Sequence, residues 1–376
     1  YAECEKIVEK GKKLATTYEY HLLLLDLLRW EIELMVVQSY QGKTEEDVEK
    51  AFREVFKVIG QYKNNREYYL LTSRVFVKTR KRGFGRTSSD LQEYEKIFQH
   101  PLLQSEEKTL SVQAKNYYYL AYSTFSGVRN NYSVAHSFIQ KQVKLLESHP
   151  DITNDRPQLY VAALHNLLFS QVRLKNFSEM HDILKKFREI NPRSERIKNR
   201  IQHWADNLEL QMFIFSGQFR EGLPLALKVH EELNNNKVKV LYKEQRTALY
   251  FSLANLFFGV KNYTKANACL NKILDDTSID IRGDIHCFTK VLHLIVHFEM
   301  GKQDLLEYAV KSTYRFLYKR NTLYQFEKIL LDFIRKKLPK ADSTSKQAAF
   351  FKELLSDIKK LFEKDPFEKR VLGYFD

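Results

Sequence analysis

One type of tripeptide recurs at near-constant spacing along this chain, and it restricts the fold more than any other feature. Asn131-Tyr132-Ser133, Asn176-Phe177-Ser178 and Asn262-Tyr263-Thr264 each separate two stretches of helical apolar periodicity. Gly217-Gln218-Phe219 replaces the Asn by the other residue that tolerates a left-handed conformation. The copies start 45, 41 and 45 residues apart, and a period of that length marks a stack of supersecondary units. Each position has a physical job. Asn or Gly takes the chain out of the first helix with positive φ, and the aromatic fills the corner. Ser133, Ser178 and Thr264 then accept hydrogen bonds from the open amides of the next helix. The triplets also match the N-glycosylation acceptor pattern, which accounts for no period.

The flanking residues are helical on both sides. Leu249, Tyr250, Leu253, Phe257 and Val260 form a stripe before Asn262, and Ala266, Leu270, Ile273 and Leu274 form one after it. Leu159, Ala163, Leu167 and Leu174 precede Asn176; Met180, Ile183, Leu184 and Phe187 follow, with Pro192 past the helix end. In these residues the chain resembles the tetratricopeptide repeat. Tyr250, Leu253, Ala254, Phe257, Tyr263 and Ala266 fit its spacing, as do Leu167, Phe177 and Pro192. Met180 stands where Ala is usual, the copies around Phe219 and Gly301 depart further, and Tyr132 with Ala135 is partial. The resemblance covers roughly residues 110–320, and the period exceeds the family's 34, so helices or loops are longer than its norm. It implies an all-α fold, a right-handed α-α superhelix (TPR-like solenoid) of about fourteen antiparallel paired helices.

The rest of the sequence agrees with helices. Gly and Pro number only 12 and 7 in 376 residues, too few for the many turns of a strand-rich protein. The expected organisation is a single continuous α-solenoid over 1–376, with long N-terminal helices over 1–86 and repeats over 87–338. A C-terminal helix over 339–376 follows, and its apolar end, 372–376, reads as cut mid-structure. Residues 17–39 are strongly apolar. Gly42-Lys43-Thr44 breaks that helix, Thr44 and Asp47 cap the next, and the latter runs towards Val77. Residues 341–345 read as a linker and cap for a last amphipathic helix through Phe350, Leu354, Ile358 and Leu361. The ending from Asp365-Pro-Phe-Glu-Lys-Arg resembles bacterial proteins of the Bacteroidetes type that carry tetratricopeptide-like helices, and this implies no activity.

Chemistry is hard to find. His286, His293 and His297 share one helical face, and imidazoles four apart can bind zinc. Leu294, however, stands where His-Glu-x-x-His would need its Glu, so a packing role is expected and no metal. Gly42-Lys43-Thr44 lacks the upstream Gly of a phosphate-binding loop, because Val37 holds that place. Gly83-Phe84-Gly85 lacks the context of a dinucleotide site. There is no Gly-x-Ser-x-Gly elbow, and Asp275-Asp276 reads as a solvated helix end. Cys4, Cys269 and Cys287 are an odd number without C-x-x-C spacing, so mostly buried, reduced thiols in a cytoplasmic protein are expected. No apolar run approaches the roughly 20 residues of a membrane span, and no signal peptide is visible, although the chain starts at Tyr1 without a Met. The expectation is therefore no enzyme, no cofactor and no membrane insertion.

Two partner classes remain. The net charge of +14 is concentrated in 101–200 (15 basic against 9 acidic) and 301–376 (17 against 11), which admits nucleic acid, an acidic protein or an anionic surface. Arg74, Lys78, Arg80, Lys81, Arg82 and Arg86 form an acid-free run and a candidate anion site. Residues 311–340 hold nine Lys or Arg against Glu327 and Asp332, beside Tyr314, Phe316, Tyr318 and Tyr324, which can stack bases but at this spacing read first as core. The favoured reading is a non-catalytic protein–protein interaction scaffold holding a peptide or helix in a concave groove. With the turn aromatics in register, the positions that tetratricopeptide proteins turn to a ligand hold His165, Arg173, Asn207, Gln211 and Asn255. The alternatives are a nucleic-acid-associated regulator using the basic runs 74–86 and 311–340, or a sensor of a short signalling peptide.

Overall fold

The computed structural model of the chain describes residues 1–82, 85, 87–235, 242–276 and 283–371. Among them there are 17 α-helices and no strand, three more helices than the turn spacing suggested. The surplus arises because short segments close into helices of their own, such as Pro150–Asp155, which starts on a Pro at its first position. The contacts divide the chain into two compact units.

The first unit holds 1–77, 93–127 and 133–167. Its opening helices are α1 (Ala2–Thr17), α2 (His21–Val37) and the long α3 (Glu45–Arg82). Thr44 and Asp47 form a reciprocal cap on α3: each backbone N–H donates to the other's side chain, at 2.9 and 3.2 Å. Lys12 ties the three helices together through Glu31 at 2.7 Å and Glu54 at 3.8 Å. Ala15, Leu24, Leu28 and Val58 form the core between them. The apolar run of α2 is only half used for that core, since Leu22, Leu23, Trp30, Val36 and Val37 remain exposed.

After α4 (Ser88–Phe98) and two short 3-10 turns come α5 (Val112–Val128), α6 (Tyr132–Glu147), α7 (Pro150–Asp155) and α8 (Pro157–Leu174). Both carboxylate oxygens of Glu19 accept the first amides of α5, from Val112 at 2.6 Å and Gln113 at 3.0 Å. A layer of aromatic rings, Phe98, Tyr118, Tyr122, Phe125 and Phe138, fills the space behind.

The second unit holds 78–92, 128–132 and 168–376. Its helices follow as α9 (Met180–Glu189), α10 (Glu195–Phe215), α11 (Phe219–Asn234), α12 (Lys243–Gly259), α13 (Tyr263–Leu274), α14 (Gly283–Glu299) and α15 (Gln303–Lys319). Alternate helices α10, α12 and α14 pack on one another in sequence, with α11 wedged on α10 and α12 and α13 on α12 and α14. This is the adjacency of successive helix pairs. Then come α16 (Gln325–Asp332), a π-helical turn and α17 (Thr344–Lys364), capped by Ser343 accepting from the amide of Lys346 at 3.3 Å. The final 3-10 turn, Glu368–Val371, folds back. Buried Glu368 accepts the amides of Gln325 and Phe326, at 2.8 and 3.2 Å, and so caps α16. Arg370 donates to the carbonyls of Gly85 and Val128.

The recurrent triplets stand at the corners α5/α6, α8/α9, α10/α11 and α12/α13; Gly217 takes the expected positive φ, but in the three Asn copies the internal roles shift by one residue. The left-handed residues are Asn130, Lys175, Gly217, Lys261 and Gly301, with φ between 55° and 74°. At three corners the two Schellman bonds are complete. Lys261 N–H donates to Phe258 O and Asn262 N–H to Phe257 O, at 2.9 and 2.8 Å; the pairs at 175/176 and 301/302 match. Asn262 is therefore the N-cap, its side chain accepting from the amide of Lys265 at 3.1 Å. The expected caps lie elsewhere: Thr264 and Ser133 are second residues of α13 and α6, and the Ser178 hydroxyl donates to Asn176 at 2.9 Å. The polar Asn is needed for the cap, so the preceding residue must turn left-handed whatever its type.

Candidate functional site

From Thr247 to Phe257, α12 is buried at every position except Ala248 and Asn255, which are seven residues apart and so share one face. On neighbouring α10, the part-exposed His203, Trp204, Asn207 and Gln211 follow a single face in the same way. The two faces meet where the Ser252 hydroxyl donates to the Asn207 side-chain oxygen at 2.8 Å. This leaves the Asn207 amide nitrogen as a donor. Asn255 gives its own nitrogen to the Phe251 carbonyl at 2.8 Å, which leaves its oxygen as an acceptor. Gln211 makes no hydrogen bond among the described residues and keeps both functions. The strip thus offers donor, donor-acceptor and acceptor groups in a part-exposed line.

The other two sequence candidates have different surroundings. Arg173, near the end of α8, lies over three aromatic rings, with Tyr132, Phe169 and Phe215 at 5.8, 5.1 and 5.5 Å from its guanidinium carbon. Such contacts contribute about 0.5–2 kcal/mol each according to how far the cation is desolvated. His165 belongs to the first unit, where its imidazole lies 3.4 Å from the Asn166 side chain. Burial pushes its pKa down to about 4, partly opposed by that contact, so its ring is neutral and can both donate and accept.

The register explains why Arg173 meets Tyr132. Counting two residues back from the left-handed corners at 175, 217, 261 and 301 gives Arg173, Phe215, Gly259 and Glu299. The turn aromatic of the preceding pair reaches this position three times. Tyr132 lies under Arg173, the Phe219 ring lies directly on Gly259, and the Tyr263 hydroxyl donates to Glu299 at 3.0 Å. At these three places the corner aromatic links one helix pair to the next.

No family model, curated protein or solved structure matches this chain.

Among the described residues no group of three or more His, Cys, Asp or Glu is arranged to hold a metal ion. His286 and His297 are buried in α14, and the rings of His293 and His297 touch edge to face at 4.1 Å between centroids. Gly42, at φ 72°, makes the turn before the Thr44 cap. The cysteines differ from expectation, as only Cys269 is buried; Cys287 is half-buried and Cys4, on α1, is exposed. No helix among the described residues is long and apolar enough to cross a membrane.

Of the first basic run, Arg74 is exposed on α3 and Lys78 is half-exposed and engaged. The side chains of Arg80, Lys81 and Arg82, together with Gly83, Phe84, Arg86 and 372–376, lie outside the described residues. In the second run, Phe316 and Tyr324 are half-buried, whereas Tyr314 and Tyr318 are exposed. Sequence reasoning also missed an open cleft of about 500 Å³ in the first unit, lined by Tyr20, His21, Leu22, Tyr62, Arg66 and Arg156 among others. Its residues come from four segments distant in sequence, so no local signal points to it.

Proposed function

We propose that this chain is a non-catalytic, cytoplasmic scaffold of the tetratricopeptide-like solenoid type, which binds an extended segment of a partner protein along the strip on α10 and α12. The observation that carries this reading is the part-exposed line of Asn207, Gln211 and Asn255, the last on a stretch of α12 that packing closes from Thr247 to Phe257 everywhere else but Ala248. Apolar residues at Gln211 and Asn255 would serve a purely structural helix as well or better. Polar amides there keep donors and acceptors that match a peptide backbone. Arg173 among its rings, on the part of α8 that belongs to the same unit, is a further contact candidate.

Each amide contributes roughly 0.5–1.5 kcal/mol net when bonded to a partner. Three together amount to about 1.5–4.5 kcal/mol, and about 1.4 kcal/mol is a tenfold change in affinity. Replacing Asn207, Gln211 and Asn255 by Ala is expected to cost about 1 kcal/mol of stability, mainly through the Ser252–Asn207 bond, while weakening capture of the native partner at least tenfold. Capture that survives the triple change but is lost when Arg80, Lys81 and Arg82 are neutralised would move the function to the basic run.

A further inference from the structure

The outward face of α15 combines aromatic and cationic side chains in a way that neither the fold nor the peptide strip requires. Leu306, Val310, Thr313 and Leu317 take the buried side of this helix. On the other side Tyr308, Tyr314 and Tyr318 are 77%, 41% and 67% exposed. Tyr side chains left this open gain little from burial, so packing does not explain three of them on one helix. Tyr314 and Tyr318 lie with their planes only 8° from parallel and their centroids 6.3 Å apart. That separation is a little under twice the roughly 3.5 Å contact distance of stacked carbon atoms. Both rings are open to solvent, so a planar group can reach them.

Cations surround the pair. The local carboxylates are already neutralised: Glu307 by Lys311 at 2.7 Å, and Asp332 by Arg335 and Lys336, both at 3.0 Å. Arg315, Lys319 and Arg320 have no carboxylate partner among the described residues. Beside Tyr314 a cleft of about 190 Å³ is lined by three cations, Lys311, Arg315 and Arg335, and one carboxylate, Asp332, with Val310 and Leu331. Surplus positive charge next to open, parallel rings fits a polyanion that carries flat apolar groups at regular intervals. An acidic peptide satisfies the charge but not the rings. A duplex presents phosphates but keeps its bases stacked inside.

We infer that the α15 face is a binding platform for single-stranded nucleic acid, with a base stacked on Tyr314 or Tyr318 and phosphates on Arg315 and Lys319. Stacking reads the π-face common to all bases, so the platform is indifferent to sequence. It is separate from the strip on α10 and α12, and either can fail alone.

The test is fluorescence anisotropy with the full chain and labelled 20-nucleotide oligo-U, oligo-dT, a duplex of equal length and polyglutamate. Oligo-U or oligo-dT is expected to bind at least tenfold tighter than duplex or polyglutamate. Changing Tyr314 and Tyr318 together to Ala should weaken that binding tenfold or more, while the double change to Phe, which keeps the rings, should restore it. Changing Arg315 and Lys319 to Ala should lower the slope of log affinity against log salt by about 1.4, since each phosphate contact on a single strand contributes about 0.7. Equal binding of polyglutamate, indifference to the Tyr changes, or no binding of either oligonucleotide at low salt would overturn the inference.

Discussion

Gly259 offers the most direct check on how the helix pairs are joined. It ends α12, and a Cβ placed on it would lie within 2.5 Å of three carbons of the Phe219 ring, the first residue of α11. Ala at this position gains about 1 kcal/mol of helix propensity over Gly. Against this, the ring must leave its seat, and overpacking of that kind costs typically about 1–3 kcal/mol, sometimes more. The net expectation for Gly259→Ala is destabilisation by up to about 2 kcal/mol. Gly60 is the internal control, because it lies inside α3 with no atom within 4 Å of an added Cβ. Gly60→Ala should therefore stabilise by about 0.5–1 kcal/mol. Urea unfolding midpoints of the two variants should move in opposite directions. Phe219→Ala removes the obstacle, so adding Gly259→Ala to that variant should stabilise rather than destabilise, giving a coupling energy of about 2 kcal/mol. Effects that add to within about 0.5 kcal/mol would show that the ring does not seat on Gly259, and the inter-pair contact would be wrong.

Three further outcomes follow from the corners, the closing segment and the buried histidines. Lys175→Gly and Lys261→Gly should each raise the urea midpoint, by about 1 kcal/mol, because a non-Gly residue is held at φ 55° or 61°. Glu368→Ala leaves two amides of α16 without their acceptor, so a loss of about 2 kcal/mol is expected in chemical denaturation. Burial, with the His297, Lys290 and Lys302 charges, pushes the pKa of His293 down to about 4. The folded chain therefore favours the neutral ring; that stability is complete above the unfolded value near 6.5 and is lost as pH falls from there towards 4. Between pH 7.5 and 5 this amounts to at most about 2 kcal/mol. His293→Leu should flatten the pH dependence of the midpoint by that amount, and an unchanged slope would contradict the burial argument.

Much of the fold was legible because helix ends and caps are local events. The corners at 131, 176, 217 and 262, the Thr44–Asp47 cap and the Ser343 cap are all visible in short stretches of sequence. The phase of the corners was not, since Lys175 and Lys261 adopt positive φ without belonging to the residues that prefer it. They are held there by the two Schellman bonds, which involve backbone alone. On α15 the sequence carries large side chains on both faces, so periodicity alone could not say whether Tyr314 and Tyr318 or Leu306, Val310 and Leu317 face inward. Packing against α14 and the turn after α16 decides it. The cleft in the first unit lay beyond reach for another reason, as its lining is assembled only once α2, α3, α5 and Arg156 at the end of α7 have come together.

The candidate strip shows where residue identity and backbone register part company. The contact between a corner aromatic and the next helix pair recurs with three different chemistries: a guanidinium on a ring, a ring on a glycine, and a phenol on a carboxylate. What persists is the position, two residues before the left-handed corner, because the corner geometry aims that position at the preceding pair. Arg173 therefore has a structural task that its place in the groove alignment did not reveal, whereas Gln211 and Asn255, four residues nearer the middle of their helices, have none beyond one internal bond. If a partner lies along the strip, removing Gln211 and Asn255 should cost affinity and little stability. Removing Arg173 should cost stability first, by about 1–2 kcal/mol for a part-buried cation among three rings. A comparison of midpoints and affinities for the two sets separates ligand contacts from the joints of the scaffold.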